Sequence, residues 1–484
     1  MKREFLINIL LLVLINLLVK PIYLFGIDRT VQNTVGEANY GLYYALFNFA
    51  FIFQILNDLG LQQFNNRNIA QHRHLLSKYF PHFLMLKAGL GLLYLLCLFA
   101  GAAIFGYPLS TFPLLAFVGF NWLLSSLILF LRSNLSGLGF YRTDSLLSVL
   151  DRFLLILICG YLLWFYSGAA AFRIEWFVYT QTLTLFLTVV VAYSLVARHI
   201  QKWTFRWSWP LMKLLLKKSY PYALVIFLML LYTRVDAFMI ERLRVDGAQE
   251  AGLYATAYRL LDASNIFGLL FATLLLPMFA SMLKTGEALV PLLSMSFRLI
   301  WAGAFSLTIA CLMFRQPIME WLYVSGSTYT GDLLAWLMLS FLSICGCYIY
   351  GTLLTASGNL RQMNQLFVLG VMLNIGLNLW LIPTRGALGA AMATCFTQAM
   401  VWIGQVLLVR RLLGVGVPVR IGWQILGFSI SVVLTALLIK TQLSFHWIVK
   451  FLLCICTSLA LAFLFKLINL IATLHMLGKG RELN

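Results

Sequence analysis

Almost the whole chain can be divided into apolar stretches of about 20 residues, the length that crosses a bilayer core as an α-helix. Of the 484 residues, 62% are hydrophobic and 11% are charged. A soluble protein carries about 25% charged residues, since its surface is wetted. The sequence therefore predicts an all-α, polytopic membrane protein. About fourteen transmembrane helices are expected, at roughly 5–27, 40–61, 81–104, 112–132, 145–167, 174–196, 219–240, 252–278, 289–314, 332–356, 362–383, 386–409, 421–440 and 446–472.

The basic residues alternate between loops. Loops after even-numbered spans are rich in Lys and Arg, and loops after odd-numbered spans contain fewer. Because cytoplasmic loops retain positive charge, this bias predicts that both termini are cytoplasmic. Topology thus accounts for much of the net charge of +19, and we expect no nucleic-acid partner.

A short motif recurs in the two halves. Gly41-Leu42-Tyr43 opens span two and Gly252-Leu253-Tyr254 opens span eight, each five residues after a glycine. Weak internal repeats are typical of transporters built from two related halves. We expect an N-terminal lobe at 1–197 (spans one to six), a basic cytoplasmic linker at 198–218, a C-terminal lobe at 219–410 (spans seven to twelve), and spans thirteen and fourteen with a cytoplasmic tail at 411–484.

Catalytic and metal-binding motifs are absent from the sequence. It has no Walker loop, nucleophile elbow or HExxH motif. The eight cysteines lie in apolar stretches without the spacing of a zinc site. We expect no enzyme activity, no catalytic residue, no metal site and no cofactor.

Ionisable residues inside the predicted spans are the most informative feature, because each costs at least a few kcal/mol at mid-bilayer unless it faces a partner or water. Arg259 and Asp262 lie three residues apart and share a helical face. A structural alternative stays open for each charge, either as an interhelical ion pair or as a snorkelling side chain. The candidates for substrate binding are Lys20, Arg152, Arg234, Arg259 and Arg298, and those for ion coupling are Asp236 and Asp262.

The excess of Arg and Lys predicts a cationic central cavity between the two halves. A diphosphate head group cannot cross hydrocarbon unaided, and fixed cations offset its desolvation through charge-assisted contacts. Rocking of the halves would expose such a cavity to each side of the membrane in turn.

An ordered set of motifs carries a resemblance across nearly the whole chain: Gly36-x4-Gly41-Leu42-Tyr43, Asn57-Asp58-Leu59-Gly60-Leu61, Asn66-Arg67-Asn68-Ile69-Ala70, Gly252-Leu253-Tyr254, Leu276-Pro277, Asn374-x3-Asn378-x4-Pro383 and Gly386-Ala387-x-Gly389-Ala390-Ala391. In these residues the chain resembles the polysaccharide transporter, or O-antigen flippase, branch of the multidrug/oligosaccharidyl-lipid/polysaccharide exporter superfamily.

The resemblance implies two six-helix lobes plus two C-terminal helices in the cell inner membrane. It also implies flipping of undecaprenyl-diphosphate-linked oligosaccharide units from the cytoplasmic to the periplasmic leaflet, as in O-antigen and lipopolysaccharide assembly. The expected partners are this lipid-linked substrate, membrane lipids and other glycan-assembly membrane proteins. Related flippases keep basic residues in spans one, two and eight; Lys20 and Arg259 match, whereas span two has Asn48 and Asp58.

Two other functions remain open. A cation-coupled drug antiporter of the same superfamily would favour an acidic cavity, which the basic excess argues against. A membrane polymerase or ligase acting on the same lipid-linked glycan would need a sizeable outside loop with catalytic acids, and the outside loops predicted here are short.

Overall fold

The computed structural model describes residues 15–16, 18–62, 65, 76–166, 172–200 and 209–468, with the backbone alone described at 76–79 and 209–222. Within these ranges the chain is helical and contains no strand. A π-helical turn, Ile22–Asp28, precedes fifteen α-helices. They are α1 (Arg29–Val35), α2 (Glu37–Asp58), α3 (Leu76–Ile104), α4 (Phe112–Leu138), α5 (Tyr141–Trp164), α6 (Ile174–Ala197), α7 (Trp209–Leu243), α8 (Gly247–Thr285), α9 (Val290–Met313), α10 (Arg315–Leu322), α11 (Thr328–Ala356), α12 (Leu360–Arg385), α13 (Ala387–Leu413), α14 (Val419–Gln442) and α15 (Trp447–Leu464).

Twelve of the described helices are long and apolar enough to cross a membrane. They correspond to predicted spans three to fourteen, so the all-α, polytopic membrane fold is confirmed. Predicted span two is α2, whose 22 residues would extend about 33 Å, although polar residues such as Asn48 and Gln54 lower its mean hydropathy. Residues 1–14 of predicted span one, 201–208 of the predicted linker and 469–484 of the predicted tail lie outside the described residues.

Several helix boundaries differ from the prediction. The helical path after span one continues through Asp28 to Val35 and breaks at Gly36, whose φ of +81° is left-handed. Helix α7 begins at Trp209, inside the predicted linker. Helix α12 runs through Pro383, where a turn was expected, and ends before Gly386 at φ +60°, because glycine adopts positive φ without a steric cost.

Packing divides the chain into two compact units, residues 1–255 and 256–484. In the first, α2 packs against α3, α4 and α7, and α4 packs against α6. In the second, α13 packs against α11 and α12, while α14 and α15 pack together and against α9. Packing units and sequence repeats are different divisions, so the lobe boundaries expected from the repeats stay predictions.

The C-terminal end of α7 is fixed to the loop that follows α3. Tyr107 donates a hydrogen bond from its hydroxyl to Glu241 Oε2 (2.9 Å). The guanidinium of Arg242 lies 3.8 Å from the centroid of the Tyr107 ring and donates to the carbonyl of Phe105 (3.3 Å). Burial, followed by the neighbouring Glu241 carboxylate, raises the pKa of Tyr107. These contacts hold α7 within the first unit.

Candidate functional site

A cation sits midway along α5. The guanidinium of Arg152 stacks over the Tyr23 ring, with its Cζ 4.5 Å from the ring centroid. Its Nε lies 3.4 Å from Oδ2 of Asp151, and 36% of the arginine side chain stays exposed. An arginine over an aromatic face is stabilised most when water is excluded. The structure thus holds the guanidinium of Arg152 against the Tyr23 ring, while about a third of the side chain as a whole stays exposed.

The π-helical turn that carries Tyr23 also carries a buried carboxylate. Asp28 is 1% exposed. It accepts hydrogen bonds from the hydroxyls of Tyr40 (2.8 Å) and Tyr23 (3.4 Å). A buried charge requires such donors, and π-helical turns occur often at functional sites. Tyr23 therefore links the Arg152 cation to the Asp28 anion.

Tyrosines of α2 extend this cluster. Tyr40 and Tyr44 lie four residues apart on one helical face, and their rings stack with centroids 6.5 Å apart. Tyr43 accepts a hydrogen bond from Nε2 of Gln181 on α6 (3.0 Å). We name Tyr23, Asp28, Tyr40 and Arg152 the Arg152 cluster.

Lys20 lies on the helical turn before the π-helical turn. Its side chain is exposed, and its ammonium group lies within range of the positive charge of Arg152. The structure thus brings together two of the five predicted substrate-binding residues, Lys20 and Arg152, in the first unit.

Arg234 and Asp236 on α7 point toward different neighbours, as their two-residue spacing predicts. Arg234 lies over the ring of Phe51 on α2, with Cζ 5.7 Å from the centroid. Asp236 is 1% exposed and accepts a hydrogen bond from the Tyr254 hydroxyl (2.9 Å). Asp28 and Asp236 thus share one arrangement, a buried carboxylate bonded by a tyrosine of the following long helix.

The remaining predicted residues belong to the second unit. Arg259 and Asp262 are half-buried on α8, three residues apart. Arg298 on α9 donates from Nη1 to the carbonyl of Lys466 (3.5 Å), just after α15. This contact gives Arg298 a packing role at the end of a helix. Substrate binding by Arg298 and Arg259, and ion coupling by Asp262, stay predictions.

Lys87 and Asp58 form a buried ion pair. Lys87 Nζ lies 2.8 Å from Asp58 Oδ1, and the lysine side chain is 4% exposed. The same ammonium donates to Ser126 Oγ (2.6 Å) and to the Asn57 carbonyl (3.3 Å). Lys87 therefore joins α2, α3 and α4, which is the structural alternative considered for the intramembrane charges.

Among the described residues, no group of three or more His, Cys, Asp and Glu side chains is arranged to hold a metal ion. Tyr23, Asp28 and Tyr40 were not among the site residues predicted from the sequence. Predicted span one ends at residue 27, so Asp28 fell just after it. A predicted helix that continued to Val35 would have contained Asp28. The pairing of Tyr40 with Asp28, 12 residues apart across the break at Gly36, left no sequence signal.

Solved structures with the same fold cover almost the entire chain. The lipid II flippase MurJ, in an inward closed conformation, has a TM-score of 0.72 at 15% identity, covering 94% of this chain and 98% of MurJ. A multidrug resistance MATE family transporter of the MOP superfamily, inward-facing, has a TM-score of 0.62 at 14% identity, covering 81% of this chain and 94% of the transporter. A MOP superfamily transporter from Pyrococcus furiosus Vc1, described as having a binding pocket of reverse polarity, has a TM-score of 0.61 at 16% identity, covering 84% and 95%.

At such identities the similarity shows a shared fold. No curated protein sequence matches the chain. Residues 5–283, more than half of the chain, match the family model described as polysaccharide biosynthesis protein. This match confirms the family resemblance that the ordered motifs carried. The chain belongs to the polysaccharide biosynthesis protein family.

Proposed function

We propose that the protein is a flippase that moves undecaprenyl-diphosphate-linked oligosaccharide units from the cytoplasmic to the periplasmic leaflet by alternating access. The observation that carries this proposal is the Arg152 cluster, in which a cation inside a membrane-spanning helix is held against an aromatic ring while part of its side chain stays exposed. Membership of the polysaccharide biosynthesis protein family supports a glycan substrate, and the shared fold of the lipid II flippase MurJ supports a lipid-linked one.

The chemistry of the cluster suits a diphosphate. A guanidinium presents several N–H donors in a planar fork and forms paired contacts with phosphate oxygens. Stacking on Tyr23 orients that fork, so less side-chain entropy is lost when the substrate binds. Lys20 adds a second positive charge near it. The polyprenyl chain would stay in lipid while the cations offset the desolvation of the head group.

Several finer features are part of the proposal. Arg234, Arg259 and Arg298 would add to substrate binding, and Asp236 and Asp262 would couple transport to ions. The expected location is the cell inner membrane with both termini cytoplasmic, as the basic loops predict. The protein would perform no covalent chemistry, need no cofactor, and work beside other glycan-assembly membrane proteins.

The test measures the sidedness of lipid-linked oligosaccharide in inverted membrane vesicles, where flipping carries the glycan into the lumen. We expect Arg152→Gln to slow flipping roughly tenfold or more, since a hydrogen bond to a charged group contributes about 1.5–3 kcal/mol. Arg152→Lys should retain part of the activity, because lysine keeps the charge and loses the fork. Arg234→Ala and Arg259→Ala test two of the three further arginines in the same assay.

Arg142→Gln is the matched control, since Arg142 is exposed at the start of the same helix. Its flipping rate should equal that of the wild type at equal protein levels. A normal flipping rate in Arg152→Gln would show that Arg152 is not part of the substrate-binding site. A covalent change in the glycan would instead identify a polymerase or ligase.

A cation-coupled antiporter of the same superfamily is the second candidate. The observation that favours it is the pair of buried carboxylates, Asp28 and Asp236, each bonded by a tyrosine hydroxyl. An antiporter would raise the resistance of cells to cationic drugs, and Asp236→Asn would abolish that resistance. A drug sensitivity equal to that of cells lacking the protein would eliminate this candidate.

A further inference from the structure

A cationic pocket lies in the second unit, and none of the residues proposed for transport lines it. It is formed where α9 leads into α10 and where α14 leads into α15, and its volume is about 440 Å³. Arg315, Lys440 and Lys450 line it together with Phe445 and Trp447. No acidic side chain is part of its wall. We name this cavity the α10/α15 pocket.

The charge of the pocket is only partly compensated by its neighbours. Arg315 Nε lies 2.9 Å from Asp332 Oδ1, which satisfies one edge of the guanidinium. Lys450 Nζ donates to the carbonyl of Lys440 (3.2 Å). Among the residues that the structure describes, neither lysine forms a salt bridge with an acidic side chain. The pocket therefore has a net positive charge that an anion would balance.

The pocket lies at the ends of membrane-spanning helices, where such helices meet the head-group layer. Lys440 lies in the last turn of α14, and Lys450 lies in the first turn of α15. The rings of Trp321 and Trp447 meet beside it, with centroids 6.0 Å apart. Tryptophan is enriched where membrane and water meet. The predicted topology places the ends of α9 and α14 on the periplasmic side.

Exposed apolar side chains flank the two lysines of the pocket. Leu438 is 58% exposed, Val449 43% and Leu452 56%, and all three lie within two residues of a pocket lysine. A ligand that fits both surfaces has a phosphate head and hydrocarbon tails. Basic pockets between membrane helices bind anionic lipid head groups for the same reason.

We propose that the α10/α15 pocket binds the phosphate of an anionic phospholipid from the periplasmic leaflet, with Lys440 and Lys450 contacting the phosphate and Arg315 closing the site. The lipid would fasten α14 and α15 to α10 at one depth in the bilayer. This site is separate from the proposed transport site, so it stands whether or not the protein flips a glycan.

The test is native mass spectrometry of the full-length protein in neutral detergent, titrated with phosphatidylglycerol, phosphatidylcholine or inorganic phosphate. We expect saturable phosphatidylglycerol adducts that a Lys440→Ala/Lys450→Ala variant binds about 30-fold more weakly, given the attraction of each lysine for an anionic head group. The charge-preserving Lys440→Arg/Lys450→Arg variant should bind like the wild type. So should Arg385→Ala, which removes an exposed cation of the same predicted face outside the pocket.

Three results would overturn the proposal. Equal phosphatidylglycerol binding by the double alanine variant would show that the lipid binds elsewhere. Equal binding of phosphatidylcholine would show that the net charge of the lipid is not recognised. Displacement of the lipid by an equimolar concentration of inorganic phosphate would identify a site for a free anion. Because binding is measured directly, a variant that loses transport activity still gives a result.

Discussion

Replacing Gly41 with alanine should force α2 away from the first turns of α8. A Cβ at residue 41 would lie 2.5 Å from the backbone nitrogen of Gly252 and closer still to the carbonyl oxygen of Ala248. In the opposite direction, a Cβ on Gly252 would lie 2.8 Å from the carbonyl carbon of Glu37. The two glycines of the repeated Gly-Leu-Tyr motif therefore pack backbone against backbone.

The cost follows from these distances. Nonbonded atoms approach to about 3.5 Å, so the two backbones must separate by at least about 1 Å, and by more at the Ala248 carbonyl oxygen. Backbone atoms cannot rotate away as a side-chain tip can, and overpacking of this kind costs about 1–3 kcal/mol. Alanine also favours the helix over glycine by roughly 0.5–1 kcal/mol, which partly offsets that cost.

Gly89→Ala separates the two contributions. Gly89 lies within α3, and a Cβ there would meet no atom within 4 Å. Both variants gain the same helix propensity, so the difference between them is the packing cost. The unfolding entropy of about 2.1 cal/mol/K per residue amounts to about 1 kcal/mol/K for this chain, so we expect Gly41→Ala to unfold roughly 1–3 °C below Gly89→Ala, as measured by intrinsic fluorescence at one scan rate in one detergent. Equal unfolding temperatures would refute the close approach of α2 and α8.

Two buried polar contacts give further predictions. Lys87→Met should destabilise the protein by about 3–5 kcal/mol, because it leaves Asp58 without its ion pair. The double variant Lys87→Met/Asp58→Leu should recover most of that loss, because it removes both charges. A packing role would be contradicted if the double variant unfolded at a lower temperature than the single variant. Tyr254→Phe should cost about 1.5–3 kcal/mol because the buried Asp236 carboxylate loses a donor. The control Tyr179→Phe, at an exposed tyrosine, should unfold at the same temperature as the wild type. If Tyr179→Phe and Tyr254→Phe lowered the unfolding temperature equally, the hydrogen bond to Asp236 would contribute nothing to stability.

Some helix ends could not be located from local sequence. Pro383 was expected to end a helix and does not: it removes one bond of the hydrogen-bond ladder, and the helix ends only before Gly386. The eight-residue α10 is too short for a span and went unpredicted. Its position beside the ends of α14 and α15 creates the α10/α15 pocket, which no segment of the sequence indicates alone.

For the intramembrane charges, the sequence showed where they are, and only the structure showed what they contact. Their presence was evident from the sequence, since any ionised group in an apolar run stands out. Their partners were not. Lys87 pairs with Asp58, 29 residues away, and this pair has a packing role. Arg152 stacks on Tyr23 of another helix and is the candidate for substrate binding. From the sequence of its own helix, each of these two residues is simply a cation in an apolar segment.

The sequence by itself determined that this chain is an α-helical membrane protein of the polysaccharide biosynthesis protein family. The length of an apolar segment and the order of motifs can both be read along the chain without knowing any tertiary contact. The tertiary structure alone decided which charges pair, where Asp28 is buried and how closely Gly41 approaches Gly252. Those outcomes depend on distances between segments far apart in the chain, and helical periodicity records which face of a helix is polar without recording what that face meets.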